Sequence, residues 1–299
     1  MTRNKDTLRD RILILLKGFF MGIADIIPGV SGGTIALITG VYERFIKALG
    51  NINLNFIPHL YEFIKRKDRT YLTHIRRDFK RMDIFFLINI GLGILLAIAL
   101  GSLIIPHLME TYTAFVYAFF FGLILASVKL ILQRKQSKNA RHHFVSGILG
   151  FLAGVIVVSI QSLQSSHTIL FTFLCGSVAI TAMLLPGISG SFILLILGQY
   201  KFMLEVLHNL KENILFFLAF AVGALAGLLV FSRIISWGLK HYHDYVILFL
   251  TGLMLGSLKL PLTKIIESSP AKLELMFVVF FLILGIGVIL LIEKKVKTS

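Results

Sequence analysis

The chain has 299 residues, of which 57% are hydrophobic and 15% are charged, and its mean hydropathy is +0.87. Soluble domains carry about 25% charged residues, so this composition excludes an ordinary soluble domain and favours an integral membrane protein. Thirty Lys and Arg against 15 Asp and Glu give a net charge of +15. The basic residues lie between apolar segments and not on one periodic polar face. This distribution argues against a nucleic-acid partner and is typical of cytoplasmic loops of membrane proteins.

The first apolar run, residues 12–49, is too long for one span and is broken near its middle by Pro28 and Gly29. The amino terminus is basic, with Arg3, Lys5, Arg9, Arg11 and Lys17, and so is the stretch after the run, with Lys65, Arg66, Lys67, Arg69, Arg76, Arg77, Lys80 and Arg81. Both flanks are therefore predicted to be cytoplasmic. Each piece of about 15 residues gives roughly 22 Å of helix, which is too short to cross a bilayer. The run is predicted to be a re-entrant hairpin; two full crossings are the alternative.

Six further apolar runs have roughly the length of single spans, since a bilayer core of about 30 Å needs about 20 helical residues. They cover residues 84–106, 114–132, 144–160, 214–237, 245–260 and 275–292. A second broken run, residues 169–207, is interrupted by Pro186 and Gly187. Loops without Lys or Arg are predicted to lie outside and basic loops inside. The resulting topology has both termini in the cytoplasm and a second hairpin that enters from the outside.

The two halves of the chain are similar in sequence. Aligning residues 18–49 with residues 176–207, an offset of 158, gives 12 identities in 32 positions, including both Pro-Gly breaks. The later segments 122–130 and 252–260 agree at six of nine positions. Because three crossings per half is an odd number, the second copy must start on the opposite side of the membrane. The sequence therefore predicts inverted repeats, an architecture of many secondary transporters.

The predicted fold class is an all-α integral membrane protein with two inverted repeats, each a re-entrant helical hairpin plus three transmembrane helices. Repeat 1 covers residues 1–163, with its hairpin at 12–49, a cytoplasmic basic loop at 50–83 and three spans. Repeat 2 covers residues 164–299, with its hairpin at 169–207 and three spans.

The two breaks are the candidate binding site. After each Pro-Gly turn a serine can cap the following helix, leaving free backbone N–H groups at its start. Such a helix terminus attracts anions, above all phosphate, and glycines let the ligand approach the backbone closely. The alternative is that these glycines only permit close helix packing. The candidate residues are Ser31, Gly32, Gly33, Thr34, Ser189, Gly190 and Ser191, beside the breaks at Pro28, Gly29, Pro186 and Gly187.

Three charged residues near these runs are further candidates. Asp25 is aligned with Met183 in the second repeat, and a carboxylate within a membrane is costly and usually functional. Asp25 and Glu43 are candidates for coupling transport to a proton or sodium ion; a local cap or ion pair is the alternative. Arg233 could bind a phosphate through two hydrogen bonds, whereas a position beside Trp237 also suits simple interfacial anchoring.

No metal, cofactor or enzymatic activity is predicted. The loop containing His241 and His243 resembles a metal site only superficially. The sequence contains no Walker loop and no Gly-x-Ser-x-Gly motif, so this chain is not expected to use ATP. A membrane-embedded lipid phosphatase would need a nucleophile close to a general acid, and no such set lies in the hairpins.

Two motifs resemble the signatures of the bacterial polyprenyl-phosphate transporters. The first is GIADIIPGVSGGT at residues 22–34, followed by GVYE at 40–43, and the second is LPGISGSF at 185–192, followed by LGQY at 197–200. The resemblance covers nearly the whole chain. It implies a multi-pass protein of the bacterial cytoplasmic membrane that returns undecaprenyl phosphate from the outer to the inner leaflet for reuse in cell-envelope synthesis.

The resemblance and the broken helices together suggest a mechanism. The phosphate would dock between the two Pro-Gly turns while its prenyl tail stays in lipid, and the repeats would rock to expose it alternately. The alternative is a small-anion channel or transporter that uses the same helix termini without a lipid tail. A lateral opening wide enough for a prenyl chain would distinguish the two. The oligomeric state does not follow from the sequence.

Overall fold

The computed structural model describes residues 7–53, 56–66, 70–133, 141–161 and 167–297, and within these residues all regular structure is helical. Arg3, Lys5, most of the basic loop after residue 133 and the predicted repeat boundary lie outside the described residues. The helices are α1 Leu8–Ile26, α2 Gly32–Ile38, α3 Tyr42–Gly50, α4 Phe56–Arg66, α5 Thr70–Arg81, α6 Ile84–Thr111, α7 Thr113–Leu132, α8 Arg141–Ser159, α9 Ile169–Leu184, α10 Gly190–Ile196, α11 Tyr200–His208, α12 Ile214–His241, α13 His243–Ser257, α14 Lys259–Glu267 and α15 Lys272–Lys297.

Among the described residues, five helical segments are long and apolar enough to cross a membrane: α6, α7, α12, the continuous pair α13–α14, and α15. The sixth predicted span corresponds to α8, whose apolar part Phe144–Ser159 is shorter. The predicted span 245–260 extends to Glu267, because Leu258 keeps a helical backbone between α13 and α14. The all-α membrane fold with several spans is therefore confirmed.

The two broken runs differ from the predicted pair of equal halves. Each has one long helix, α1 with 19 residues or α9 with 16, followed by two short helices of seven and nine residues. Gly40 and Gly198 follow α2 and α10 and have positive φ values of 77° and 66°, a conformation that favours glycine. The axes of α10 and α11 differ by 108°, so the second run turns sharply.

The predicted cytoplasmic loop 50–83 contains two helices, α4 and α5, which pack on each other. It is joined to the membrane helices by an ion pair between Arg44 Nε in α3 and Asp83 Oδ2, at 2.7 Å. The Arg44 guanidinium also lies over the Phe86 ring, 4.2 Å from its centroid. These contacts attach the end of the first broken run to the start of α6.

The long helix of the first broken run, α1, packs in parallel against α6. A Cβ placed on Gly18 would lie 2.3 Å from the Ile90 carbonyl, and one on Gly101 would lie 2.7 Å from the Ile26 side chain. Residue numbers therefore rise together along the two helices. Small residues allow this close approach of backbones, as is usual in membranes.

Helices from the two halves also pair in parallel. The Phe115 ring of α7 lies 5.9 Å from the Phe277 ring of α15, and a Cβ on Gly122 would lie 2.1 Å from the Leu282 carbonyl. Helix α8 packs against α13 in the same sense. Inverted repeats require parallel pairing here, because repeats of the same orientation would make α7 and α15 antiparallel. The inverted relation itself stays a prediction.

Helix α9 packs against α12 through glycines, and this contact gives a first testable prediction. A Cβ on Gly223 would lie 2.0 Å from the Phe173 carbonyl, so Gly223→Ala should force the helices apart. We expect the free energy of unfolding to fall by about 1–3 kcal/mol, the usual cost of overpacking. The measurement is a lower melting temperature of the protein in detergent.

Gly287→Ala in α15 is the matched control for this change. No neighbouring atom lies within 4 Å of its added Cβ, and alanine is favoured over glycine in a helix by about 0.5–1 kcal/mol. The control should melt at the same or a higher temperature. Equal destabilisation by both changes would contradict the tight α9–α12 contact.

Candidate functional site

The first break is a tight turn at residues 27–30. The Val30 N–H donates to the Ile27 carbonyl at 3.0 Å, with Pro28 and Gly29 at the two central positions. Gly29 has φ of +82°, as the third position of a type II turn requires. The second break repeats this arrangement at residues 185–188, where Gly187 has φ of +90°. The sequence repeat therefore corresponds to the same local backbone.

At the first break the chain itself occupies the start of α2. The Gly32 N–H donates to Asp25 Oδ1 at 2.7 Å, and the Gly33 N–H donates to Ser31 Oγ at 3.1 Å. The Thr34 N–H donates to the Ser31 carbonyl at 2.9 Å. The expectation that these three N–H groups are free is wrong, because Asp25 and Ser31 act as their acceptors. The local-cap alternative for Asp25 describes its contact in this structure.

The second break is more open. Ser189 Oγ lies 2.7 Å from Ser191 Oγ and makes no capping hydrogen bond to α10. In the described part of the chain, the N–H groups of Gly190 and Ser191 have no hydrogen-bond acceptor. The two breaks thus have the same backbone conformation but differ in the acceptors of their N–H groups. The Asp25 carboxylate accepts from the start of α2, whereas the N–H groups of Gly190 and Ser191 at the start of α10 have no acceptor among the described residues.

The fold brings the two breaks into contact, as the paired motifs predict. The Gly187 N–H donates to Thr34 Oγ1 at 2.8 Å, and the Ser31 hydroxyl donates to the Leu185 carbonyl at 3.2 Å. These bonds join residues about 150 positions apart in the sequence. Non-helical backbone at membrane depth is tolerated only inside protein or beside water, and here each break helps to satisfy the other.

Two tyrosines support the breaks: Tyr42, which the first motif contains but to which no role was assigned, and Tyr117, which no motif contains. The Tyr117 hydroxyl of α7 donates to the Pro28 carbonyl at 2.9 Å, and the Tyr42 hydroxyl of α3 donates to the Leu184 carbonyl at 3.1 Å. Tyr42 is fully buried and Tyr117 nearly so. A buried tyrosine usually needs a partner for its hydroxyl, but the sequence does not indicate which carbonyl supplies it.

The other charged candidates lie in different places. Arg233 is exposed and its guanidinium donates to the Ile52 carbonyl at 3.0 Å; no described contact joins it to either break. Glu43 Oε1 lies 3.3 Å from His243 Nε2, and His243 Nδ1 lies 3.1 Å from Asp244 Oδ1. Residues from α3 and α13 therefore form a polar cluster. No set of three potential metal ligands occurs among the described residues.

Beside the first break lies an apolar groove of about 1000 Å³ between α1, α2, α6, α7 and α15. Along α15 it extends from Glu274 to Ile289, a helical rise of roughly 22 Å. It lies against the first break at Ile27 and Ile35. The other lining residues are Phe20, Ile23, Ile38, Thr39, Ile105, Leu108, Tyr112, Phe115, Val116, Phe119, Phe120, Leu123, Phe277, Phe281, Leu284 and Val288.

An all-α membrane protein with contacting broken helices and a long apolar groove has the form of a transporter. Residues 21–292 match a family model described as undecaprenyl phosphate translocase-like, so the chain belongs to this family. It is 40% identical over 247 residues to a polyprenyl-phosphate transporter of Vibrio cholerae, covering 81% of this chain and 75% of that protein. A polyprenyl-phosphate transporter of Staphylococcus aureus is 32% identical over 261 residues, covering 82% and 83%. No solved structure matches.

These comparisons confirm the family expected from the two motifs. They also confirm that the chain is a transporter and not an enzyme, since both relatives and the family description refer to transport. The roles of individual residues at the breaks remain predictions.

Proposed function

We propose that this protein moves undecaprenyl phosphate across the bacterial cytoplasmic membrane, from the outer to the inner leaflet, so that the carrier is reused in cell-envelope synthesis. The apolar groove beside the first break is the observation that carries this proposal. Its lining is almost entirely aliphatic and aromatic, which suits a prenyl chain and not a hydrated small anion. The family and the names of the two relatives support the same substrate class.

In this proposal the groove holds part of the tail while the rest stays in lipid. Its length of roughly 22 Å along α15 is a large part of a hydrocarbon core of about 30 Å. A lipid could therefore keep its tail in apolar surroundings while its headgroup changes sides. A small-anion channel has no use for such a groove, so the anion alternative is less well supported.

The phosphate is proposed to bind at the paired breaks, with the second break as the open position. The N–H groups of Gly190 and Ser191, which are partly buried, lack acceptors in the described structure and so can donate to a ligand oxygen. A phosphate oxygen would supply the missing acceptor. At Gly32 the same phosphate would first have to displace the Asp25 carboxylate. This differs from the simpler expectation that both helix termini are available.

The proposed transport cycle uses rocking of the two repeats around the breaks, with both termini in the cytoplasm. Asp25 is the proposed coupling group, because its carboxylate holds the position that the phosphate would take. Glu43, which contacts His243 near the end of the first broken run, is a second candidate. The coupling ion would be a proton or sodium.

Reconstitution of the full chain into liposomes that contain undecaprenyl phosphate tests the proposal. An added phosphatase that cannot enter the liposomes hydrolyses only lipid in the outer leaflet. Active transporter should make the inner-leaflet pool accessible as well, whereas empty liposomes should not. A second measurement follows release of trapped inorganic phosphate and chloride. Release of these ions without any change in lipid accessibility would overturn the proposal in favour of small-anion transport.

A further inference from the structure

One cation lies beside the groove without having been assigned any role. The Lys17 ammonium of α1 donates to the Thr39 carbonyl at 2.9 Å, and Thr39 lines the groove. Phe20, one helical turn after Lys17, lines it too. The sequence analysis counted Lys17 with the basic amino terminus, but the fold places it next to the groove.

Lys17 is the tenth of the 19 residues of α1 and therefore lies in the middle of that helix, not at its end. Its neighbour Gly18 packs against Ile90, six residues after the start of α6 at Ile84 and therefore about 9 Å along that helix. Lys17 is half-buried. Ionisable residues within the apolar helices of membrane proteins are rare, and they often mark a substrate or ion pathway.

The charges along the groove are asymmetric. Glu274 lines one end of it, and Lys17 lies at Thr39 towards the other. The described residues that line it include no Lys or Arg, and the Lys17 ammonium lies beside this wall at Thr39. Arg233, the cation first considered for phosphate, has its described contact with Ile52 instead. A phosphate whose tail lies in the groove would be repelled at Glu274 and attracted at Lys17.

We infer that Lys17 and the Thr39 end of the groove form a phosphate-binding subsite for the headgroup of the prenyl lipid. This inference rests on the proposed function and adds a specific location to it. In the predicted topology, α1 starts in the cytoplasm, so this subsite holds the headgroup on the inner-leaflet side of the breaks. The ammonium then exchanges the Thr39 carbonyl for a phosphate oxygen, a stronger charge-assisted acceptor.

Binding of undecaprenyl phosphate and of undecaprenol to the full chain, measured by native mass spectrometry, tests the subsite. The two lipids differ only in the phosphate. Lys17→Gln should weaken binding of the phosphate about tenfold to a hundredfold, the range expected for one charged hydrogen bond, and leave undecaprenol binding unchanged. Lys17→Arg should keep most of the preference for phosphate. Lys47 is an exposed lysine of α3, so Lys47→Gln is the matched control and should bind both lipids as the wild type does.

The outcomes separate this inference from the proposed function. If the wild-type protein does not prefer the phosphate over the alcohol, the proposed function fails. If the wild type prefers it and Lys17→Gln keeps that preference, only the subsite is overturned. Equal weakening of both lipids, together with a lower melting temperature, would assign Lys17 to capping α2 alone.

A measurement on the wild-type protein avoids any folding defect of the variants. Saturating undecaprenyl phosphate should protect Lys17 from amine acylation more strongly than undecaprenol does, while Lys47 should be modified equally in both samples. Equal labelling of Lys17 with the two lipids would contradict the subsite.

Discussion

Asp25→Ala is expected to destabilise the protein and to abolish transport. The change removes the acceptor of the Gly32 N–H, which lies 2.7 Å from Asp25 Oδ1 at the start of α2. Loss of a helix cap costs about 0.5–2 kcal/mol, and a donor left unsatisfied in an apolar site costs about 1–3 kcal/mol. We therefore expect the free energy of unfolding to fall by an amount near the upper end of these ranges. Thermal unfolding in detergent and lipid accessibility in liposomes are the two measurements.

Asp25→Asn separates the cap from the proposed coupling role. The asparagine side-chain oxygen can still accept from the Gly32 N–H, so the helix keeps its cap. The free energy of unfolding should therefore stay within about 0.5 kcal/mol of wild type. Asparagine cannot exchange a proton or carry a negative charge, so transport should no longer respond to a proton or sodium gradient. Met183→Ala, the aligned position of the second repeat, is the matched control. If Asp25→Asn keeps the full gradient response, Asp25 is a cap and nothing more.

The motifs predicted the local structure of the breaks well. Proline followed by glycine allows few turns, and a serine two residues after the glycine starts a new helix, so Gly29 and Gly187 take the same conformation. The contact between the breaks was also foreseeable, because backbone that is open within a membrane must find polar partners inside the protein. The Thr34–Gly187 hydrogen bond fulfils this requirement.

Occupancy of the breaks could not be predicted from these motifs. Asp25 reaches Gly32 only because the turn folds the end of α1 back beside the start of α2. At the second break Met183 holds the aligned position, and its apolar side chain offers no charged acceptor. Ser189 also pairs with the hydroxyl of Ser191, which stands where the first motif has Gly33, so two differences between the motifs separate a closed helix terminus from an open one. The two repeats are thus expected to contribute unequally to binding.

The groove could not be predicted from the sequence either. Its walls come from five helices, and each wall residue is an ordinary apolar residue of a membrane helix. No residue type marks the difference between an apolar side chain that faces lipid and one that faces a groove. Lys17 illustrates the same problem, since its charge suggested a cytoplasmic flank while the fold sets it beside Thr39.

Leu284→Trp is expected to block transport while leaving the fold intact. Leu284 lines the groove from α15 and is 43% exposed, so a larger side chain can extend into the groove without displacing the core. The indole would occupy space that the prenyl chain needs. A steric cost of about 1–3 kcal/mol in the transport step corresponds to roughly tenfold or more in rate. The rate of lipid exposure in liposomes gives the measurement.

Ile283→Trp is the matched control for the groove. Ile283 is the preceding residue of α15 and is 58% exposed, but it does not line the groove. Both changes add the same indole to the same helix turn, so their effects on insertion and on stability should agree. Only Leu284→Trp should slow transport and reduce binding of undecaprenol. Equal transport by the two variants would show that the tail passes elsewhere, and the groove would then lose its place in the mechanism.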